Sequence, residues 1–241
     1  MPSLVIIPTY NERENIEAIV RAVLRQPGNF HVLVVDDASP DGTAQIVRDL
    51  QKEYPEQVHL LSRPGKLGLG TAYIAGFRWG LEREYAYFFE MDADFSHNPD
   101  DLPRLLEVCQ NKADVAIGSR YVRQGGLQDW PLDRILLSRG ASLYTRLILW
   151  MPVADPTAGF ICYRREVLEA MDLNKIRFVG YAFQIAMKYA AYSLGFRLRE
   201  VPIIFKDRQK GQSKMSLRIV REAMLGVWQM RFQRYGRAKK S

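Results

Sequence analysis

Cysteine and histidine are scarce in this sequence. Its 241 residues include two cysteines, Cys109 and Cys162, in apolar surroundings, and three histidines, His31, His59 and His97, that share no metal-ligand spacing. Neither cysteine belongs to a Cys-x-x-Cys pair, so a disulfide scaffold, a zinc ribbon and thiol redox chemistry are excluded. Two reduced core thiols in a cytosolic protein remain. Long apolar runs are lacking too. No stretch free of Asp, Glu, Lys and Arg exceeds 11 residues, and three glycines interrupt one of that length, Leu67–Phe77. A spanning helix needs roughly 20 apolar residues, so none is expected. The N-terminus enters a strand-like run at once, without a basic n-region or cleavage site, and no signal peptide is expected.

What is present is ordinary for a folded domain: 47% hydrophobic and 25% charged residues. The length suits one α/β domain, or one domain with an appended segment. The net charge of +7 is unevenly placed. Residues Arg197–Ser241 hold 13 Lys and Arg against 3 Asp and Glu, a net +10, which leaves −3 on the first 196 residues. Such a basic end calls for an anionic partner: phosphates, nucleic acid or an anionic membrane surface.

Short apolar runs at Leu4–Ile7, Val32–Val35, Val58–Leu61, Tyr87–Met91 and Val115–Gly118 read as buried strands. Helical spacing fills Asn11–Arg25, Asp41–Glu53, Thr71–Glu84 and Pro99–Asn111. Asp41 or Ser39 can cap the second helix, and Asn98-Pro99 starts the fourth. Further on, Tyr121–Pro131 reads as a loop, Leu132–Trp150 as a helix, Phe160–Tyr163 as a strand and Phe183–Leu194 as a helix. Arg199–Phe205 reads as a strand, Lys206–Ser216 as a basic loop and Ser216–Arg234 as an amphipathic helix before a basic tail. This alternation predicts an α/β fold with a mostly parallel sheet and helices on both faces. Ligands of such sheets bind beyond the carboxyl ends of the strands.

The residues just after each strand are therefore the informative ones. They are Pro8-Thr9-Tyr10-Asn11-Glu12, Asp36-Asp37-Ala38-Ser39, Asp92-Ala93-Asp94 and Ser119-Arg120-Tyr121. Four polar or acidic loops on one rim point to a site. Asp92 and Asp94, one residue apart at a strand end, suit a hard divalent cation such as Mg²⁺ or Mn²⁺ that shares its other positions with phosphate oxygens and water. The alternative, a helix N-cap with a spare acid, fits an isolated Asp-x-Asp better than this one. Asp36-Asp37 can supply a cap and an acceptor for a base or ribose. Gly65-Lys66-Leu67-Gly68-Leu69-Gly70 fits no phosphate-loop fingerprint and reads as a turn into a helix, with Lys66 near a phosphate. In the basic loop, Arg208 and Lys214 either clamp a diphosphate or are solvated surface.

The order of these stretches resembles the inverting family 2 glycosyltransferases, and more closely the dolichol-phosphate (polyprenol-phosphate) mannose synthases. The matching stretches are VIIPTYNERENI (5–16), VVDDASPDGT (34–43), MDADFSHNP (91–99), IGSRYVRQGG (117–126), LSRGAS (137–142), DPTAGFICYRREVL (155–168) and VPIIFKDRQKGQSKM (201–215). The first two mark the superfamily. The last four narrow the resemblance to prenyl-phosphate sugar synthases, and DADFSH with GQSK favours mannose over glucose.

The resemblance implies a Rossmann-like nucleotide-sugar-binding fold with amphipathic C-terminal helices. The implied substrates are GDP-mannose and a prenyl phosphate, and the products prenyl-phosphate β-mannose and GDP. Carried over by position, Pro8, Tyr10, Glu12, Val35 and Asp37 hold the guanosine. Asp92, Ala93 and Asp94 take the diphosphate region, with Asp94 the principal ligand of Mg²⁺ or Mn²⁺ and Asp92 its companion. Arg120, Arg134 and Ser138 fall at the acceptor phosphate, and Arg208 and Lys214 close over the donor. Some relatives have a Gln metal ligand where Ser96 stands. The acceptor is already anionic, so no general base is required, and His97 is left a structural role. Residues 1–215 make the catalytic domain. Residues 216–241 form a basic helix and tail facing a membrane, which places the protein peripherally on the cytoplasmic face, alone or with an anchoring partner.

Three rival readings stand beside this one. One keeps the fold but uses UDP-glucose or another acceptor. A non-catalytic basic module binding nucleic acid or membrane has only the basic tail in its favour, and the Asp-x-Asp at a strand end with its acidic rim repels a nucleic-acid backbone. A nicotinamide dehydrogenase is disfavoured by the missing glycine fingerprint.

Overall fold

The computed structural model describes residues 1–178, 180–206 and 217–236, the last segment by backbone alone before residue 224. Its strands are β1 (Ser3–Thr9), β2 (Phe30–Asp36), β3 (Val58–Ser62), β4 (Tyr87–Glu90), β5 (Val115–Ser119), β6 (Gly126–Gln128), β7 (Ile161–Arg164), β8 (Leu198–Pro202) and β9 (Ile204–Lys206). The helices are α1 (Ile16–Leu24), α2 (Thr43–Glu53), α3 (Leu69–Leu81), α4 (Leu102–Asn111), α5 (Leu132–Leu149), α6 (Arg165–Ala170), α7 (Tyr181–Ser193) and α8 (Leu217–Phe232). Seven strands form one sheet in the order β3-β2-β1-β4-β7-β5-β8. β7 is antiparallel to both its neighbours, and the remaining pairs are parallel.

The strand period of two divides the apolar residues between two cores. Leu4, Ile6, Leu33, Val35, Phe88 and Tyr163 face the layer that includes Phe77 of α3 and Phe183 of α7. Val5, Ile7, Val32, Val34 and Phe89 face α1, α2 and α4. With both faces covered, the central strands are continuous apolar runs. Helix α3 lies close to the sheet because it carries glycine where a side chain has no room. A Cβ on Gly76 would stand 2.6 Å from Ile6 Cγ2, and one on Gly70 would stand 2.7 Å from Phe183 Cδ2. The glycine-rich stretch before Thr71 is thus a packing device as well as a turn.

Several expected boundaries differ. Helix α1 begins at Ile16 rather than Asn11. The amides of Asn11, Glu12 and Arg13 instead donate to Ser39 Oγ, Thr43 Oγ1 and Asp41 Oδ2, at 3.0, 3.1 and 3.0 Å. The N-cap of α2 is Gly42 rather than Asp41 or Ser39; Asp41 Oδ1 accepts from the Thr43 N–H at 3.0 Å. Asn98 does cap the turn before α4, accepting from the Asp100 N–H. The strand expected over Arg199–Phe205 is two: β8 pairs with β5, whereas β9 pairs with β6 inside the expected 121–131 loop. Cys109 and Cys162 are buried and unlinked. Val227, Met230 and Tyr235 bury α8 and its exit in the same core as α7. No helix among the described residues is long and apolar enough to cross a membrane.

Candidate active site at the carboxyl rim

The loops after β1, β2 and β4 meet at one rim. After β2, Asp36 is consumed locally. It accepts from Thr9 Oγ1 at 2.8 Å and from the Ser39 hydroxyl and amide at 2.6 and 3.0 Å. Asp37, also buried, accepts Arg63 Nε and Nη2 at 2.6 and 2.5 Å on Oδ1, and the Leu67 amide at 3.1 Å on Oδ2. A carboxylate offers about four acceptor positions, so Asp37 keeps one for a ligand. The same clamp orders the turn that places Lys66 Nζ 4.1 Å above the half-exposed ring of Tyr10. Pro8, Tyr10 and Glu12 stand on this rim, while Val35 is fully buried in the sheet core beneath them.

After β4, a left-handed Phe95 (φ 59°) folds the chain back over Asp92-Ala93-Asp94. Asp94 Oδ1 accepts the Ser96 amide at 3.0 Å, and Tyr73 Oη approaches Asp92 Oδ1 at 3.4 Å. Burial, and then Asp92, push the Tyr73 hydroxyl well above its ordinary pKa, so it stays a donor. His97 supports the turn: its Nδ1 accepts the Asp92 amide at 3.1 Å and its ring stacks on Phe160 at 5.0 Å. Among the described residues no three His, Cys, Asp or Glu converge as a closed metal cage. The donor set is two carboxylates beside Ser96, whose buried hydroxyl has no hydrogen-bond partner among the described residues. Hard oxygen donors, too few to complete a shell, fit Mg²⁺ or Mn²⁺ shared with a diphosphate.

Beneath that turn lies a second layer of buried charge. Glu90, at the end of β4, accepts from Tyr163 Oη at 3.0 Å. Burial raises it to about 7, against the pull of Lys188. Lys188 of α7 is wholly buried and donates to the carbonyls of Ala158 and Gln184 at 2.6 and 2.9 Å. Burial lowers it to about 8.

Beside the acidic rim, α5, α7 and α8 enclose a cavity of about 370 Å³. Its walls are largely apolar, from Leu136, Leu137, Ala141, Ile185 and Val227, and Arg120, Arg134, Ser138, Trp130 and Thr157 supply its polar groups. The Arg134 guanidinium stacks on Trp130, 3.7 Å from the ring centroid, and Ser138 Oγ accepts from Tyr121 Oη at 2.6 Å. Arg120 is held more firmly. Its Nε and Nη2 donate to Asp155 Oδ2 and Oδ1, both at 2.6 Å, and Nη2 also donates to Thr157 Oγ1 at 2.8 Å. Burial alone would raise the Asp155 carboxyl, but Arg120 outweighs it and holds Asp155 below the usual carboxylate range.

The structure thus brings Pro8, Tyr10, Glu12, Asp37, Asp92, Ala93 and Asp94 to one rim, and Arg120, Arg134 and Ser138 to the adjoining cavity. Arg208 and Lys214, with the whole basic loop expected over 207–216, lie outside the described residues. Four contributors were not anticipated: Arg63, Trp130, Asp155 and Thr157. Asp155 had a signal, being the single charged residue between Arg146 and Arg164. A lone carboxylate in so apolar a stretch calls for a buried cation.

This sheet, with its acidic rim beside a cationic cavity, has the Rossmann-like layout that takes ligands beyond the carboxyl ends of its strands. Residues 4–172 match glycosyl transferase family 2. The chain is 50% identical over 225 residues to the polyprenol monophosphomannose synthase of Mycolicibacterium smegmatis, spanning 93% of this chain and 85% of that one. It is 49% identical over 227 residues to the undecaprenyl-phosphate mannosyltransferase of Micrococcus luteus, spanning 94% and 93%. The fold also matches the solved structure of a mannosyltransferase from Pyrobaculum calidifontis in complex with GDP-Man and Mn²⁺. That match has a TM-score of 0.59 at 16% identity, over 95% of this chain and 69% of that one. The chain belongs to glycosyl transferase family 2.

Proposed function

We propose that the protein transfers mannose from GDP-mannose to a prenyl monophosphate with inversion, giving prenyl-phosphate β-mannose and GDP. The observation that carries this reading is the cavity. Its walls are apolar, as a polyisoprenyl chain requires, and two guanidinium groups stand within it. Arg120 spends Nε and Nη2 on Asp155 and Thr157, which leaves Nη1 for an anion. The relatives' names support the prenyl phosphate and the mannose.

The chemistry follows from these residues. An acceptor phosphate oxygen attacks the anomeric carbon as its bond to the GDP oxygen breaks. The nucleophile is already anionic at neutral pH, and no base is needed. Arg120 and Arg134 offset the repulsion between acceptor phosphate and donor diphosphate. Tyr10, Glu12 and Asp37, with Pro8, hold the guanosine. Asp92 and Asp94, with Ser96 beside them, would hold Mg²⁺ or Mn²⁺, which when bound offsets the charge developing on the departing GDP. Arg208 and Lys214 are assigned charge-assisted contacts to the diphosphate.

A lipid acceptor places the site at a membrane. Leu132, Leu136, Leu143 and Leu147, exposed at spacings of four, seven and four, form one stripe along α5, and Arg139 and Arg146 fall at its edge. Trp228 and Phe232 of α8 are exposed as well. Such a surface suits peripheral binding to anionic headgroups on the cytoplasmic face. In this division residues 1–215 carry the chemistry, and the exposed side of α8 joins that of α5 at the membrane while Val227 and Met230 stay in the core. The deciding experiment supplies purified protein with Mg²⁺ or Mn²⁺, a short prenyl phosphate, and radiolabelled GDP-mannose or UDP-glucose. Lipid-linked label is expected from GDP-mannose alone and is lost with EDTA. Equal or better transfer from UDP-glucose refutes the donor, and transfer in excess EDTA refutes the metal.

A further inference from the structure

The segment 154–158, between α5 and β7, has no regular structure, yet its polar groups are held from two sides. Glu200 of β8 takes two successive amides: Ala154 N–H on Oε2 at 2.8 Å and Asp155 N–H on Oε1 at 3.0 Å. Lys188 of α7 donates to the Ala158 carbonyl at 2.6 Å. Between these anchors, Asp155 and Thr157 grip Arg120. Lys188 is the unexpected member. It lies in a part of α7, residues 182–191, that is buried on every side and whose other polar members are Gln184 and Tyr189. A methionine would fill similar volume without the several kcal/mol cost of desolvating an ammonium. What a methionine cannot do is reach a carbonyl with a donor, and the carbonyl reached belongs to the segment that aims Arg120. The ammonium is drawn first to Glu90 of β4, then to Asp155 and Glu200, and is repelled by Arg120, so its charge acts on the 154–158 segment as well as on β4.

We propose that Lys188 and Glu200 are positioning residues for Arg120: they fix the 154–158 segment from opposite sides so that the guanidinium meets the acceptor phosphate along its remaining edge. The assignment rests on the reading of Arg120 as an acceptor-phosphate ligand. Neither residue touches substrate. Loss of Glu200 therefore blurs the aim of Arg120 and leaves the donor rim intact, whereas loss of Lys188 also strands Glu90 beneath the Asp92 turn.

The test uses Lys188→Met, the milder Glu200→Gln, and Arg120→Ala as reference. Both positioning variants are expected to raise KM for a short prenyl phosphate about tenfold, the scale of one charge-assisted contact. In Glu200→Gln, KM for GDP-mannose should stay within about twofold, because the donor contacts are separate sites. Lys188→Met placed on Arg120→Ala should add nothing to acceptor KM, since there both act through one group. A further rise of acceptor KM in that double variant, or an equal rise in both KM values of Glu200→Gln, overturns the proposal. The Nε–H resonance of Arg120, read by ¹⁵N NMR on the full chain without substrate, gives an independent readout. It should be protected from exchange in the wild type and broadened in both variants; a folded variant that keeps it sharp overturns the proposal. If the resonance broadens while Arg120→Ala leaves acceptor KM unchanged, the clamp stands and the acceptor reading of Arg120 falls. If Lys188→Met does not fold, Glu200→Gln alone decides by the same two measurements.

Discussion

Replacing Asp155 with asparagine tests the buried pair that organises the cavity. Asp155 is fully buried and Arg120 nearly so. Each carboxylate oxygen serves two donors. Oδ2 accepts the amide and Nε of Arg120 at 3.1 and 2.6 Å, and Oδ1 accepts Arg120 Nη2 at 2.6 Å and Thr157 Oγ1 at 3.2 Å. An asparagine amide must turn its NH₂ toward one of these two pairs, whichever way it is flipped. Turned toward Oδ2's partners it faces the Arg120 amide and Nε, and turned the other way it faces Arg120 Nη2 while the Thr157 hydroxyl can rotate to accept; either way the guanidinium loses its counter-charge in a dry site. Breaking a buried pair by removing one partner costs about 3–5 kcal/mol. Each kcal/mol lowers Tm by about 2–4 °C in a domain of this size, so the expected fall is about 6–20 °C. Domain stabilities of about 5–15 kcal/mol leave the variant folded at low temperature. Thermal unfolding by circular dichroism measures the fall, and transfer assays at low temperature measure the accompanying rise in acceptor KM. Adding Arg120→Met removes the stranded cation, so the double variant should regain most of the Tm and none of the transfer. A single variant within about 2 °C of the wild type, or a double variant no more stable than the single, would refute this account of the pair.

Asp94→Asn should lose metal-stimulated transfer by at least about a hundredfold while keeping its Tm, since one carboxylate of a weakly caged ion is removed; normal Mn²⁺-dependent turnover would contradict the assignment. Leu143→Ser combined with Leu147→Ser should weaken flotation with anionic vesicles while leaving Tm unchanged, because both side chains are exposed; unaltered flotation would remove α5 from the membrane contact. The third concerns pH. His31 Nδ1 and His59 Nε2 share the Tyr85 hydroxyl at 3.1 and 3.3 Å. Burial lowers the pKa of both, with His31 and Arg83 adding to the effect on His59, while Glu56 opposes it in each case. The unfolded chain thus binds more protons near the ordinary histidine pKa. The histidines' contribution is complete above about pH 6.5 and falls as pH drops through that value. Glu90, raised to about 7, works in the opposite direction over this interval, so the effect is read as a difference: between about pH 7.5 and 5.5 the wild type should lose Tm relative to His59→Gln; an equal slope in both proteins would count against it.

Local sequence carried the central strands, because β1, β2 and β4 are buried on both faces and so read as unbroken apolar runs. It missed what depends on distant partners. The start of α1 moved five residues because the amides of Asn11, Glu12 and Arg13 go to side chains about 28 residues away. β6 went unseen because three residues between glycine and tryptophan carry no strand pattern until β9 pairs with them. The acidic rim was legible from residue type and position alone. The setting of Arg120 was not, since Asp155, Thr157, Glu200 and Lys188 come from separate stretches and only the folded chain brings them together.

The reversed direction of β7 settles where α5 can lie. In an ordinary β-α-β unit the helix must carry the chain back to the far end of the sheet, so it runs down one face and spends its apolar side there. β5 ends at the rim, and β7, antiparallel to it, begins at the rim. The connection between them therefore has no return journey to make. Its 18-residue helix departs from and comes back to the same end of the molecule. Released from covering the sheet, α5 can lie across the top of the site, with one side over the cavity and the leucine stripe turned outward. One inverted strand thus converts what would have been a buried crossover into an external surface next to the reaction centre. A substrate whose head must enter the protein while its tail stays in lipid requires such a surface there.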